Sequence, residues 1–297
     1  MTQTPFSGAR ASLQDEAEAL SSTLPPLMVE AERLASAVSI GIHGRRKAGM
    51  GESFWQFRRF RAEDPSTAID WRQSAKSQHL FAREREWEVA QSVWFWRDGS
   101  PGMRFQSGAV TKLHRSSLLA LALASALVRG GERIALLGDG HAPSSSRAAL
   151  RRIGYALSDA PFDESLPPNL PLSRNAQFVW FSDFLSPLTQ IEAVLRRMRQ
   201  SGTSGTLVHI IDPAEEDFPY EGRTRFEAPD GDTAETLGRA ETIASAYRAR
   251  FKAHAETVAL LAGKLRWNYL AHRTDRAPQT ALIALYAGMS GARHSRT

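Results

Sequence analysis

The feature that most constrains this chain is a strand-like run that ends in acid. Val93, Trp94, Phe95 and Trp96 are consecutive apolar residues, and Arg97-Asp98-Gly99-Ser100 follows at once. A strand with one wet face alternates polar and apolar residues, whereas a strand covered on both faces is continuously apolar. The figure recurs. Residues 132–137 run into Gly138-Asp139-Gly140, residues 177–181 into Ser182-Asp183, and residues 206–211 into Asp212-Pro213; a last strand is expected at 267–271. Helical patterns lie between them at 111–129, 147–157, 187–199 and 234–265, with a final helix at 279–289. Strand and helix in alternation predict a doubly wound α/β fold with a mostly parallel sheet, Rossmann-like in outline. Such sheets gather their sites at the carboxyl ends of the strands. Asp98, Asp139, Asp183 and Asp212 are therefore expected on one rim.

Composition narrows the class. The chain has 297 residues, 42% of them apolar and 23% charged, and no cysteine, so thiolate metal sites and disulfide scaffolds are excluded. The longest apolar run, residues 116–128, is about 13 residues, short of the roughly 20 that span a bilayer. No basic-then-apolar leader opens the chain. A cytoplasmic protein without a membrane span is the expectation. The net charge is +5, but the basic residues are interleaved with acids and no nucleic-acid module is visible. A solvated, arginine-rich surface is expected, not a nucleic-acid partner.

Residues 1–25 read as a loosely packed N-terminus with a short helix at 13–20, and residues 28–36 have helical spacing. Next comes a basic loop, Gly41 to Gly51, whose Arg45, Arg46 and Lys47 stand among glycines. Amides and cations of this kind can hold a phosphate. The Gly-Lys-Ser/Thr ending of a Walker loop is missing, so a plain surface loop is the competing reading. The stretch Phe54 to Phe60 alternates aromatic with polar and basic residues and leaves strand and irregular edge both open. Residues 79–84 read as a strand. Asp70 beside Trp71 and Arg72, with Arg58, Asp64, Arg83 and Glu84 nearby in sequence, suggests an arginine–carboxylate network that is structural or binds a partner.

Gly49-Met50-Gly51-Glu52, Phe54, Arg58, Phe60, Asp64, Ile69-Asp70-Trp71 with Ser74-Ala75, then Glu84 and Glu88, resemble the signature of the bacterial "domain of unknown function 58" family. The resemblance extends over roughly residues 30–290. It implies an N-terminal extension at 26–85, a von Willebrand factor A-like domain at 86–290 and a frayed tail at 291–297. It also implies a divalent-ion motif beginning at Asp98, with Ser100 as a second ligand, a further serine and threonine, and Asp183 acting through water. Mg²⁺ suits such hard oxygen ligands. Gly102 stands in place of the second serine, and only Ser144 to Ser146 stand where the threonine is due, so a degenerate site is expected. Asp212, Pro213 and Glu215 match the family's Asp-Pro-x-Glu.

The function expected by resemblance is that of a non-enzymatic adaptor for a MoxR-type AAA+ ATPase. The alternatives are a metal-dependent binding domain and a hydrolase or nucleotide-binding enzyme using the basic loop. No nucleophile–base pair is visible, His209 reads as a core residue, and Arg248, Arg250 and Lys252 read as a solvated helix face.

Overall fold

The computed structural model describes residues 25–43, 54–60, 69–77, 79–85, 92–158, 163–173, 175–229, 231 and 233–294. Arg45, Arg46, Lys47, Asp64 and the expected helix at 13–20 lie outside the described residues. The chain divides into two compact units, Met1–Ile42 with Gln91–Thr297, and His43–Ala90.

The first element, α1 (Pro26–His43), carries Leu27, Met28, Ala31, Leu34, Ala35 and Val38 on one buried stripe. These residues join the core of the larger unit. Most of this helix thus belongs to the larger unit, although the expected boundaries assigned it to the extension.

The smaller unit is built on two strands. β1 (Phe54–Arg59) pairs antiparallel with β2 (Phe81–Arg85), with an irregularity between Phe54 and Gln56. The open choice at Phe54 to Phe60 is therefore settled as strand. Arg58 lies opposite Ala82, Arg83 opposite Phe57, and Glu84 opposite Gln56. Between the strands is the single turn α2 (Trp71–Ser74). Asp70 caps it by accepting from the Gln73 amide at 2.9 Å. Ser74 Oγ donates to the Asp70 carbonyl at 2.7 Å and accepts from the Phe81 amide at 2.9 Å. Asp70 and Ser74 thus tie a turn to a strand. Trp71 is 66% exposed and Arg72 is exposed, so neither is packed into a core.

The larger unit begins its sheet with β3 (Ser92–Arg97), followed by α3 (Lys112–Arg129) and β4 (Arg133–Leu136). Next come α4 (Arg147–Ser158), β5 (Gln177–Ser182), α5 (Leu188–Gln200) and β6 (Ser204–Ile211). The short helix α6 (Pro213–Asp217) leads into a hairpin of β7 (Thr224–Glu227) and β8 (Ala234–Leu237). The long helix α7 (Ala244–Lys264), edge strand β9 (Asn268–Arg273) and α8 (Pro278–His294) complete the chain. The sheet order is β4-β3-β5-β6-β9, and every pairing in it is parallel. This is the doubly wound α/β fold that the alternation predicts.

Residues 234–265 are not the single helix that their pattern predicts: Ala234–Leu237 is a strand, a 3-10 turn spans Ala240–Ile243, and the helix starts only at Ala244. Ala, Glu and Leu favour helix in isolation. Here the hairpin turn overrides that preference. Gly231 sits at φ +80 and its amide bonds the Ala228 carbonyl at 2.8 Å, which folds residues 234–237 back on 224–227.

The sheet sorts its side chains by parity. Val93, Phe95, Val179, Phe181, Val208 and Ile210 join the buried cluster that includes α1, α3, α4 and α8 residues. Trp96, Phe178, Trp180 and Leu207 join the other, with α5 and α7 residues and Trp267. Each large side chain removed from water contributes about 2–3 kcal/mol. Beyond β4 the chain doubles back, and Ser144 forms an antiparallel bridge with Ile134. That bridge covers one edge of the sheet.

Candidate functional site

The order β4-β3-β5 places the first and third strands of the sheet side by side, with the second outside them. In such sheets the reversal between those strands opens the ligand crevice at their carboxyl ends. Asp98 follows β3, and Asp183 follows β5, so both stand at this switch point.

Asp98 is fully buried. Its Oδ2 accepts from Ser182 Oγ at 2.6 Å and its Oδ1 from the Ser100 amide at 2.9 Å. Burial, with Asp183 second, raises its pKa from 3.8 to about 6. Preceding it, Arg97 is 1% exposed, and among the described residues none of its guanidinium nitrogens meets a hydrogen-bond partner. Burial, opposed by Asp98, lowers its pKa to about 10.

Asp183 lies in a tightly held turn. Its Oδ1 accepts from the Leu185 amide at 3.1 Å, and Ser182 Oγ accepts from the Phe184 amide at 2.9 Å. Phe184 adopts φ +51, a left-handed conformation that bulky residues avoid. It is held there by an edge contact with Trp180 at 5.1 Å and by His254, whose Nε2 lies 2.7 Å from the Phe184 carbonyl.

The other oxygen of Asp183 meets a residue that sequence reasoning missed. Lys112 Nζ lies 2.9 Å from Asp183 Oδ2 and also donates to Glu215 Oε1, and the Lys112 side chain is wholly buried. Its nitrogen is 6.0 Å from the centre of the Phe105 ring. Burial pulls the Lys112 pKa down, but Asp183 and Glu215 together outweigh it, and the net direction is upward. Lys112 opens α3, directly after the Thr111 cap. A cation there opposes the helix dipole, so its position rests on the two carboxylates.

Glu215 explains the Asp-Pro-x-Glu match. Asp212 caps α6 by accepting from the Ala214 amide at 2.9 Å, and Glu215 Oε2 accepts from the Asp212 amide at 3.0 Å. This capping box leaves Oε1 for Lys112. Asp212 also accepts from the Ser107 amide at 2.9 Å and from Ser107 Oγ. The motif therefore ties the 98–112 connection to the end of β6. Asp139, the fourth strand-end acid, is not part of this group: Arg152 and the His141 amide bind it. Ser144 is committed to the sheet edge. His209 is a core residue as expected, 1% exposed, with Nδ1 2.7 Å from the Tyr269 hydroxyl and a pKa lowered by burial to about 4.

The residues do not fit a divalent ion. Asp183, the expected outer ligand, is bonded directly to an ammonium, and both Asp98 oxygens accept from protein donors. A Cβ at Gly102 would lie 3.1 Å from Asp183 Oδ2. The missing serine is thus a place where the chain passes close to that carboxylate. Among the described residues no group of three or more His, Asp or Glu side chains is placed to hold a metal.

The family profile described as "Protein of unknown function DUF58" matches residues 56–258, more than half of the chain. The chain belongs to the DUF58 family. Among solved structures, this DUF58 chain is similar to the conserved hypothetical protein BatB from Bacteroides thetaiotaomicron, at 12% identity, with 68% of this chain and 100% of that one covered and a TM-score of 0.41. It is also similar to an aerotolerance-related membrane protein from Bacteroides fragilis NCTC 9343 with multiple mutations to serines, at 14% identity, 67% and 98% coverage and a TM-score of 0.42. No curated protein matches.

A second surface feature lies where β6 and β9 meet α7. A groove of about 360 Å³ is lined by Ile211, Phe251, Ala255, Ala259, Tyr269 and Ala271 and rimmed by Glu216, Arg248, Lys252 and Glu256. β9 is the last strand of the sheet, and the groove lies over its Tyr269 and Ala271 and the end of β6, against α7.

Proposed function

We propose that this DUF58 chain is a non-enzymatic interaction module, a cytoplasmic adaptor that works with a MoxR-type AAA+ ATPase in assembling or remodelling another protein complex. The observation that carries this reading is the groove beside β9. An apolar floor with a charged rim is the anatomy of a protein docking surface, and an edge strand offers unpaired backbone groups to an added segment. Arg248, Lys252 and Glu256 follow one another at four-residue spacing along α7. That row makes them one charged wall, not only a solvated face. The occupant that fits is an extended ATPase segment with an apolar anchor and charges of both signs. The Lys112 pairing supports a form of binding that needs no metal.

The test uses the full chain and a purified MoxR-type ATPase from the same organism, by biolayer interferometry with chelator present. Binding should persist without metal, and Ala255→Arg should weaken it about tenfold or more by filling the groove. No binding by the wild type, or equal binding by Ala255→Arg, refutes the assignment.

A further inference from the structure

Lys112 goes beyond the docking role. A divalent ion at the end of a parallel sheet needs several hard oxygen ligands turned toward one point. Two carboxylates are arranged in that manner here, and in the same way. Asp183 gives Oδ1 to the Leu185 amide and Oδ2 to Lys112; Glu215 gives Oε2 to the Asp212 amide and Oε1 to Lys112. In each case a backbone amide fixes one oxygen and aims the other at the ammonium. The point on which they converge is the Lys112 Nζ atom. The lysine side chain is 0% exposed, and its backbone amide bonds the Phe105 carbonyl at 3.3 Å. A second cation beside it would meet like charge at short range in a water-poor setting.

We propose that the Lys112 ammonium is the resident cation of this site: it occupies the position a divalent ion would take, excludes that ion, and locks the turns after β5 and β6 to the start of α3. Removing the side chain should then convert the site into a divalent-cation site built on Asp183 and Glu215. The inference does not depend on which partner uses the groove, and it is tested without one.

Mn²⁺ would be titrated calorimetrically into the full-length wild type, Lys112→Ala and Lys112→Ala/Asp183→Asn, with thermal unfolding followed alongside. The wild type should give no binding heat at millimolar Mn²⁺. Lys112→Ala should melt about 10 °C lower, as loss of one member of a buried ion pair implies. It should bind Mn²⁺ and recover about 5 °C at saturation, and Asp183→Asn in the same background should abolish both effects. Heat in the wild type that Asp183→Asn removes would overturn the proposal, as would a folded Lys112→Ala that binds no Mn²⁺. If Lys112→Ala does not fold, the wild-type titration beside single Asp183→Asn still decides whether the ammonium excludes the ion.

Discussion

At the scale of single residues, charge placed out of water governs this protein. Asp98 has its pKa raised by burial from 3.8 to about 6, so the folded state favours its neutral form. The stability linked to it is whole below about pH 4 and is lost as the pH rises through about 6. Asp98→Asn should remove this slope, since an amide still accepts from the Ser100 amide and can face Ser182. At pH 8 the variant should be more stable than the wild type by about 2–3 kcal/mol, and near pH 4.5 the two should come close together. Urea titrations at both pH values check this; an unchanged difference would sink the account. The sequence made Asp98 and Asp183 legible because each ends an apolar strand. Lys112 was not legible, because in sequence it is one polar residue ahead of an apolar helix. Its partners lie 71 and 103 residues away. The one local clue was a cation at a helix start, where the dipole disfavours it. Glu215 was noticed only as part of a motif, and its role depends on a capping box that fixes which oxygen remains free.

At the scale of elements, the core strands were readable because burial on both faces demands unbroken apolar runs, and β3, β5 and β6 obey that demand. The second strand of the hairpin, β8, was not, because it is short and largely exposed and its residues suit a helix equally well. Two glycines show how closely the elements approach. A Cβ on Gly205 in β6 would lie 2.5 Å from the Phe178 carbonyl and 2.7 Å from the Trp267 ring. A carbonyl within a sheet cannot step aside, so Gly205→Ala should cost about 3 kcal/mol. A Cβ on Gly154 in α4 would lie 2.6 Å from Met28 Cγ and Sδ in α1. A methionine side chain has other rotamers, so Gly154→Ala should cost about 1 kcal/mol or less. Chemical denaturation of the two variants compares them directly, and equal costs would contradict this difference between backbone and flexible neighbours.

At the scale of the whole molecule, the larger unit has one sheet with two unlike coverings. The layer that includes α1, α3, α4 and α8 residues is mostly aliphatic and alanine-rich, with Phe95 and Phe181, while the opposite layer holds Trp96, Trp180 and Trp267, with Trp94 packed against it. Because both layers grip the same five strands, they should unfold together. Far-ultraviolet dichroism, which follows helices of both layers, and tryptophan emission should give one coincident urea transition; separate midpoints would show that the layers are independent. The placement of the tryptophans has an optical consequence. Four of the seven tryptophans belong to a single layer, and another, Trp71, already lies in water. Within the larger unit, the emission of those four tryptophans is therefore a one-sided gauge: it registers what happens beneath α5 and α7, next to the groove, and not α1 peeling away from the other side.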